Sequence, residues 1–291
     1  MARPSPAVTR IAAVLTFLAD DPLRSFTLTE IARNTGLSPA TAHALLNQMA
    51  TEGLLVRDPN LKRYTLGPLL VRIGQAASAR PVDAVGHARE LLDELSHDIG
   101  LQVTLTRVIG EHIVVEARVG DPGPWGMTVQ VGQRLPMAPP LGSVFVAWAA
   151  DAEIEHWLRR ADAEPSAGGL DRCLDALGAV REHGFAVSLN VPATSHSLSG
   201  DASGLRELLD SSYFLVDLQL TARYSIRQIA APVFDVDGNV VLAVSALHQG
   251  AERTGREVLA DGGLLSRAAD LVTASIHGRK PAIPDHEGEP V

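Results

Sequence analysis

Cysteine is almost absent from this chain of 291 residues, which contains Cys173 alone. A single cysteine excludes an intramolecular disulfide framework and cysteine-rich zinc sites, and it fits a reducing compartment. Long hydrophobic runs are also missing, because the most apolar stretch, "LGSVFVAWAA", covers 10 residues and is too short to span a bilayer. The first residues, "MARPSPAVTR", lack the apolar core of a signal peptide. We therefore expect a globular protein of the cytoplasm.

Recognisable catalytic and metal-binding spacings are missing as well. The ten histidines include no H-E-x-x-H pair, and no G-x-S-x-G elbow or Walker-type glycine loop occurs. The adjacent Ser-His-Ser at 195–197 lies in a polar stretch, where neighbours in sequence need not meet as nucleophile and base. Cys173 lies among leucines at helical spacing, which predicts a buried structural thiol. We predict no catalytic residue, no metal and no cofactor.

Positive charge is scarce overall, with a formal net charge of −9, but it is unevenly distributed. Residues 1–80 contain nine Lys or Arg and five Asp or Glu, a net charge of +4, so the remainder carries −13. A basic head on an acidic body is the asymmetry expected when one domain meets phosphate and the other does not.

The basic head has the pattern of three helices followed by a hairpin. Residues 9–20 carry an apolar stripe at helical spacing. In "FTLTEIARNTG", Thr27 and Glu30 have the spacing of a capping box, and Gly36 ends the short helix. Ser38 and Pro39 then suit the start of a third helix that stops at Gly53. The strand-like pieces "LLVRD" and "RYTLG" follow, so the order is that of a helix-turn-helix with a wing.

The third helix has two different faces. Its predicted inner stripe repeats at i, i+3, i+4 and i+7, and consists of Ala42, Leu45, Leu46 and Met49. The opposite face has no Lys, Arg, Asp or Glu, although an exposed helix face usually carries such residues for solubility. Small, uncharged side chains suit close approach to a DNA groove, where Asn47 can pair with adenine and His43 can contact a purine edge or phosphate. The competing interpretation is a structural helix that happens to have small outer residues.

Residues 9–80 resemble the winged helix-turn-helix of IclR-type transcriptional regulators. The segments that carry the resemblance are "RIAAVLTFLA", "FTLTEIARNTGLS", "TAHALLNQM", "EGLLVRD" and "RYTLGPLLVRIG". The resemblance implies that the third helix enters the major groove and that the wing approaches the backbone. Ala44 departs from the pattern, since many relatives have Arg there. The predicted DNA-contacting residues are Ser38, Ala40, Thr41, His43, Ala44, Asn47, Gln48, Lys62, Arg63 and Arg24.

The rest of the chain predicts an α+β domain with a central antiparallel sheet. A helix is expected over 83–99, followed by a hairpin about Gly110-Glu111 and a short strand in "TVQVGQRLP". Helices are predicted in "PPLGSVFVAWAA", "DAEIEHWLRRA", "DRCLDALGAVREHG" and "GLRELLDSSYFLVDLQLTARY". A second hairpin turns about residues 237–239, and a closing helix covers 252–276.

This second domain resembles, more weakly, the GAF-like effector-binding domain of the same family, through "VGQRLPM…LGSVFVAWAA" and "QIAAPVFDVDGNVVLAVSAL". The resemblance implies a small-molecule effector, an organic acid or an aromatic compound, bound against the sheet. The predicted effector-binding residues are Leu135, Met137, Leu141, Gly142, Ser143, Gln228, Ser245 and Leu247, with Arg118, Trp125 and Arg227 as candidate anchors. The apolar members are equally compatible with a structural core role, and an Arg on a strand is often only an edge residue.

Three departures from the family pattern limit how far a specific ligand can be inferred from the resemblance. "MAPPLG" lacks the histidine common in the first segment, Gln228 stands where some relatives have cysteine, and residues 190–224 replace a short acidic loop.

The sequence thus predicts four parts: a winged helix-turn-helix at 1–67, a linker helix at 68–81, an effector-binding domain at 82–278 and a tail at 279–291. The function expected is that of a DNA-binding transcriptional regulator, more often a repressor, which binds a palindromic operator as a homodimer or dimer of dimers and responds to an effector. No membrane association is expected. Two alternatives stay open: a metabolite-processing enzyme whose winged helix serves protein contacts, and a regulator without a ligand whose second domain only oligomerises.

Overall fold

The computed structural model describes residues 5–78, 84–121, 129–160, 169–191, 205, 208–209 and 211–281. Their contacts divide the chain into an N-terminal unit, Met1–Asp83, and a C-terminal unit, Ala84–Val291. Within the described residues, no helix is both long enough and apolar enough to cross a membrane.

The N-terminal unit is a three-helix domain with a small antiparallel sheet in the strand order β1-β3-β2. The β2–β3 hairpin is the predicted wing, paired from Leu55↔Leu66 to Asp58↔Arg63. A further helix follows the sheet. The elements are α1 (Pro6–Ala19), β1 (Phe26–Thr27), α2 (Leu28–Asn34), α3 (Pro39–Thr51), β2 (Leu55–Asp58), β3 (Arg63–Leu66) and α4 (Pro68–Ser78).

Two helix starts in this unit follow the sequence signals. The Thr27 side chain accepts a hydrogen bond from the backbone of Glu30, and the Glu30 carboxylate accepts one from the backbone of Thr27, so the capping box of α2 is complete. Ser38 caps α3 by accepting from the backbone N–H of Thr41, and Pro39 occupies the first helical position. The predicted helix-turn-helix is therefore confirmed.

The core of the N-terminal unit explains why α3 is fixed in place. Ala42 and Leu46 are fully buried and Met49 is 2% exposed, whereas Leu45 is only half-buried at the edge of the stripe. They pack with residues of α1, α2 and the wing, including the buried ring of Tyr64. Deleting a buried leucine from such a core costs about 2–5 kcal/mol.

The C-terminal unit is built on a six-stranded antiparallel sheet in the order β6-β5-β4-β9-β8-β7, which confirms the predicted α+β class. The long β8–β9 hairpin forms its centre and pairs with β4 through Val103↔Ala246. The elements are α5 (Ala84–Ile99), β4 (Gln102–Ile109), β5 (His112–Val119), β6 (Arg134–Pro136), α6 (Ser143–Val146), α7 (Asp151–Leu158), α8 (Gly169–His183), β7 (Ala186–Leu189), β8 (Arg223–Phe234), β9 (Val240–Thr254) and α9 (Gly255–Ser275).

The two faces of this sheet have different partners because alternate residues of a strand point to opposite faces. Leu105, Val244 and Ile229 belong to the core formed with α5 and α9. Ile113, Ala243 and Ala230 belong to the core on the other face, which includes α6, α7 and α8. Polar residues of the second face meet beneath α6, where the cavity described below is found.

Several predicted elements differ from the structure. The segment "SSYFLVDLQLTA" is not helical, since Ser211 to Ala222 form turns and a single bridge, Ser188↔Phe214. Tyr213 and Leu215 are buried on either side of the less buried Phe214, a two-residue alternation that the helical prediction overlooked. The prediction over 139–150 shrinks to the four residues of α6, and β6 covers only the last three residues of its predicted strand. The closing helix begins at Gly255 because β9 continues to Thr254.

Candidate functional site

The outer face of α3 is accessible and free of Lys, Arg, Asp and Glu. Ala40, His43, Ala44 and Gln48 are exposed, and Asn47 is half-buried. This face therefore lets a large partner come close to the helix backbone, and its three polar side chains supply both donors and acceptors.

Those polar side chains are held along the helix by neighbouring groups. The Asn47 amide Nδ2 lies 3.3 Å from His43 Nε2, and Gln48 Nε2 donates to Glu52 Oε1 at 2.7 Å. Near the helix start, the hydroxyls of Ser38 and Thr41 lie 2.8 Å apart. Such exposed hydrogen bonds contribute little to stability, so they are readily exchanged for bonds to a partner.

The wing presents a single lysine at its tip. Asp58 Oδ1 accepts hydrogen bonds from the backbone N–H groups of Asn60 and Leu61, which closes the turn. Lys62 follows in the left-handed region with φ 52° and is exposed. On β2, the Arg57 guanidinium lies over the Tyr64 ring at 5.9 Å from its centroid. Lys62 is therefore the wing cation that is free to meet a phosphate.

Arg24 and Arg63, two of the predicted DNA contacts, are engaged inside the domain. Arg24 Nη2 lies 2.7 Å from Glu30 Oε1, and Arg63 Nη1 lies 3.9 Å from Glu30 Oε2. Arg63 also donates to the carbonyl of Ser25 at 2.6 Å. Hydrogen bonds from the backbone and hydroxyl of Thr27, followed by the charges of the two arginines, lower the pKa of Glu30 to about 2. The net charge of +4 on residues 1–80 thus overstates the number of cations that are free to contact DNA phosphates.

A cavity of about 100 Å³ lies between the sheet of the C-terminal unit and the segment that leads into α6. Its floor comes from β4, β5, β7, β8 and β9. A Cβ at Gly142, which has φ 92°, would stand 2.5 Å from Met137 Sδ, so glycine lets this wall pack closely. The residues that line the cavity are Thr104, Thr106, Ile113, Val115, Val129, Leu135, Pro140, Leu141, Gly142, Ser143, Val144, Phe145, Ala186, Ser188, Tyr213, Gln228, Ala230, Ser245 and Leu247.

The structure brings together most of the predicted effector-binding residues, while their role in binding stays a prediction. Those that line the cavity are Leu135, Leu141, Gly142, Ser143, Gln228, Ser245 and Leu247. Met137 packs behind Gly142 and lines a neighbouring open groove instead. Arg118 pairs with Thr104 across β4 and β5 and donates to the carbonyl of Val129 at 3.4 Å. Arg227 is half-buried in the bulge between Ile226 and Gln228, outside the lining, and Trp125 lies outside the described residues.

Four polar lining residues were not among the predicted set: Thr104, Thr106, Ser188 and Tyr213. The two threonines alternate in "QVTLTR" with Val103 and Leu105, which are buried on the opposite face. A polar residue at every second position of an otherwise buried strand is a readable signal of a polar site. Tyr213 was missed because its segment was predicted to be a helix, although its alternation with Leu215 is typical of an extended segment.

The remaining chemical candidates have structural roles. Cys173 is fully buried in the core beneath α6 and α8, and burial raises the pKa of its thiol to about 12, which confirms the predicted buried structural thiol. Among the residues that the structure describes, no group of three or more His, Cys, Asp or Glu side chains is placed to hold a metal ion.

Comparison with known proteins shows which regulators this chain resembles. The model of the IclR helix-turn-helix domain matches residues 7–59. The transcriptional regulator XynR of Escherichia coli is 26% identical over 220 residues, which cover 75% of this chain and 76% of XynR. An IclR transcriptional regulator from Alicyclobacillus acidocaldarius superposes with a TM-score of 0.65 at 25% identity, covering 94% of this chain and 100% of its own. The chain thus contains an IclR-type helix-turn-helix domain and is similar over most of its length to IclR-family transcriptional regulators.

A further neighbour shows the same fold with a ligand. An IclR homologue from Microbacterium hydrocarbonoxydans, crystallised with 4-hydroxybenzoate, has a TM-score of 0.60 at 18% identity, covering 93% of this chain and 98% of its own. IclR-family regulators bind DNA and small-molecule effectors, and they are not enzymes. This chain has a winged helix-turn-helix in its N-terminal unit and a cavity in its C-terminal unit.

Proposed function

We propose that this chain is a repressor that binds an operator through α3 and the wing and loses affinity for it when an effector occupies the cavity. The observation that carries the proposal is the exposed, uncharged outer face of α3 on a helix fixed by a buried inner stripe. Such a face can enter a major groove, where Asn47 and Gln48 can each form two bonds to an adenine edge and Ala44 can contact thymine methyls. A regulator of this kind acts in the cytoplasm.

The operator is expected to be a palindrome read by two copies of the chain. One copy offers few free cations, since Glu30 engages Arg24 and Arg63, and affinity for DNA grows with the number of phosphates neutralised. A homodimer, or a dimer of dimers, doubles that number. Its half-sites would lie about one helical turn apart, roughly 34–36 Å. Effector binding would change how the two heads are spaced through α4, which follows the wing directly.

The test is selection of bound DNA from a random pool with the purified full chain. The expected result is one enriched palindromic site with two half-sites about one helical turn apart. Enrichment of an asymmetric site would contradict binding as a symmetric dimer. No enrichment above a no-protein control would contradict sequence-specific DNA binding itself.

Asn47→Ala tests whether α3 reads bases. We expect discrimination at one base pair of each half-site to fall by about 1–3 kcal/mol, roughly five- to 150-fold, while binding to unrelated DNA changes little. Asn239→Ala is the matched control, because it removes the same side chain from an exposed turn of the C-terminal unit. Competition gel shifts with single-base operator variants measure both. Unchanged discrimination in Asn47→Ala would contradict the assignment.

A further inference from the structure

We infer that the effector is a small uncharged polyhydroxylated compound of about three carbons, recognised by hydroxyl and amide side chains on the sheet. This inference rests on the proposed function, since it assigns a ligand class to the effector cavity. It narrows the class expected from the sequence, which included organic acids and aromatic compounds.

The lining of the cavity is polar without being charged. Among the described residues, no Lys, Arg, His, Asp or Glu side chain lines it. Its polar side chains are instead hydroxyls and one amide: Thr104, Thr106, Ser143, Ser188, Tyr213, Gln228 and Ser245. Arg118, directly opposite Thr104 in register, lies outside the lining and donates to the carbonyl of Val129. An ionised carboxylate in such a site therefore loses hydration that neutral donors only partly replace. A hydroxyl group both donates and accepts, and therefore matches this lining.

The polar side chains are neighbours across the strands. Thr104 pairs with Ser245 across β4 and β9, and Gln228 pairs with Ser188 across β8 and β7. Ser245 also stands directly beside Ala230 on β8, two residues from Gln228. Directly opposed residues lie roughly 4.5–5.5 Å apart and diagonal neighbours about 7–8 Å. This spacing suits a ligand that carries hydroxyls on successive carbons.

These groups are also free to bind. Within the described part of the chain, the side chains of Thr104, Ser245 and Gln228 form no hydrogen bond, although Thr104 and Ser245 are 2% and 1% exposed. Buried polar groups in proteins are nearly always paired, and an unpaired one is costly. Gln102, on the same face of β4 and paired in register with Leu247, has both amide atoms buried without a partner. A ligand with several hydroxyls would satisfy the cluster on the floor.

Size separates the candidate ligands further. An apolar cavity of about 150 Å³ holds a benzene ring, and the present cavity has about 100 Å³. Its ligand therefore has no more heavy atoms than benzene, a limit that glycerol meets and that benzoate, erythritol and xylitol exceed. Helix α6, which begins at the cavity, has only four residues. It therefore offers few aligned peptide dipoles to stabilise a carboxylate. An uncharged polyol of about three carbons fits both limits.

Calorimetry with the full chain, without DNA, tests the class directly. The probes are glycerol, erythritol and xylitol, the acids glycerate and erythronate, and the aromatic acids benzoate and 4-hydroxybenzoate, all at millimolar concentration. We expect saturable heat for glycerol, weaker binding of erythritol and xylitol, and at least tenfold weaker binding of glycerate and of both aromatic acids than of glycerol. Tighter binding of an acid or an aromatic compound, or no binding of any polyol, would overturn the inference.

Variants show whether the bound polyol occupies the floor of the cavity. Thr104→Val and Ser245→Ala each remove one hydroxyl and should weaken polyol binding by about two- to tenfold, as expected for one hydrogen bond. Ser225→Ala is the control, because its hydroxyl donates to the carbonyl of Gly250 outside the lining and polyol affinity should be unchanged. Equal affinity in the wild type and both cavity variants would overturn the placement. Circular dichroism confirms that each variant is folded.

The operator from the DNA selection separates this inference from the proposed function. If an acid or aromatic compound binds and releases that operator, the ligand class is wrong and the repressor function stands. If no operator is selected while a polyol binds through Thr104 and Ser245, the repressor function falls and the ligand class stands.

Discussion

Two helices of this chain, α2 in the N-terminal unit and α9 in the C-terminal unit, begin with the same capping box. In α2 the Glu30 carboxylate accepts from the backbone and hydroxyl of Thr27 at 2.8 and 2.9 Å. In α9 the Glu257 carboxylate accepts from Thr254 at 2.7 and 2.8 Å. The local geometry is thus nearly identical, while the lengths of the helices and the surroundings of the two carboxylates are not.

The difference lies in what else each carboxylate and helix must do. α2 has seven residues and α9 has 21, so the cap is a larger share of what stabilises the shorter helix. Glu30 also binds Arg24 closely and lies near Arg63, two cations of the proposed DNA-binding face. Within the described residues the Glu257 carboxylate forms no ion pair, although the charges of Arg253 and Arg223 act on it. The Glu30 carboxylate instead links the helix-turn-helix to the wing and neutralises part of the positive charge of the N-terminal unit.

The largest expected effect comes from breaking the two caps. Thr27→Ala should destabilise the N-terminal unit by about 1–2 kcal/mol, and Thr254→Ala should destabilise the C-terminal unit by about 0.5–1 kcal/mol, both within the range of lost N-caps. Hydrogen exchange of peptides from α2 and α9 measures each locally. Thr27→Ser and Thr254→Ser keep the hydroxyl and should behave like wild type. An equal loss in both alanine variants would show that helix length does not matter here.

How much of this arrangement could be read from the sequence depends on how local each signal is. The Thr27–Glu30 box and the inner stripe of α3 were predicted, because both rest on residues within two turns of each other. The Thr254–Glu257 box has the same spacing and was missed, since the predicted helix began at 252, in what is the end of β9. The link from Glu30 to Arg63 joins residues far apart in the chain, and no local pattern contains it.

The cavity, too, could be predicted from the sequence only where its signals are local. Its walls near Gly142 and Gln228 were predicted by the resemblance, and Thr104 and Thr106 had a readable alternation. Their neighbours across the sheet depend on strand order and register, including the bulge between Leu105 and Thr106, which single-sequence patterns do not specify. The free hydroxyls became evident only once the pairing was known.

A smaller effect is expected in the salt dependence of DNA binding, which should distinguish Lys62, the free cation of the wing, from Arg63, which is engaged by Glu30. Lys62 forms no ion pair within the described residues, so Lys62→Ala should weaken binding to all DNA sequences and reduce the slope of log affinity against log salt by about 1 per copy. Arg63→Ala should reduce that slope by less, because Arg63 is held by Glu30 and Ser25. Filter binding between 50 and 200 mM salt, roughly the range where such slopes are resolved, measures both. A larger change in Arg63→Ala than in Lys62→Ala would place the phosphate contact on Arg63.

The smallest expected effect is on how the stability of the N-terminal unit depends on pH in the acidic range. The pKa of Glu30 is about 2 in the folded chain, against about 4.3 in an unfolded one. Its contribution to stability is therefore complete above pH 4.3 and is lost as the pH falls toward 2. Glu30→Gln lacks this titration, so the melting temperature of the N-terminal unit should fall less steeply over that window than in wild type.

Glu257→Gln is the matched comparison. Hydrogen bonds from Thr254, followed by the charges of Arg253 and Arg223, also lower the pKa of Glu257, but within the described residues no arginine forms an ion pair with it as Arg24 does with Glu30. Far-ultraviolet circular dichroism follows both units, and the fluorescence of Trp148 and Trp157 follows the C-terminal unit alone. We expect Glu257→Gln to flatten the acid dependence of the fluorescence transition, and Glu30→Gln to leave that transition unchanged. If Glu30→Gln altered the fluorescence transition instead, the two carboxylates would not act within their own units, and the comparison between the two caps would fail.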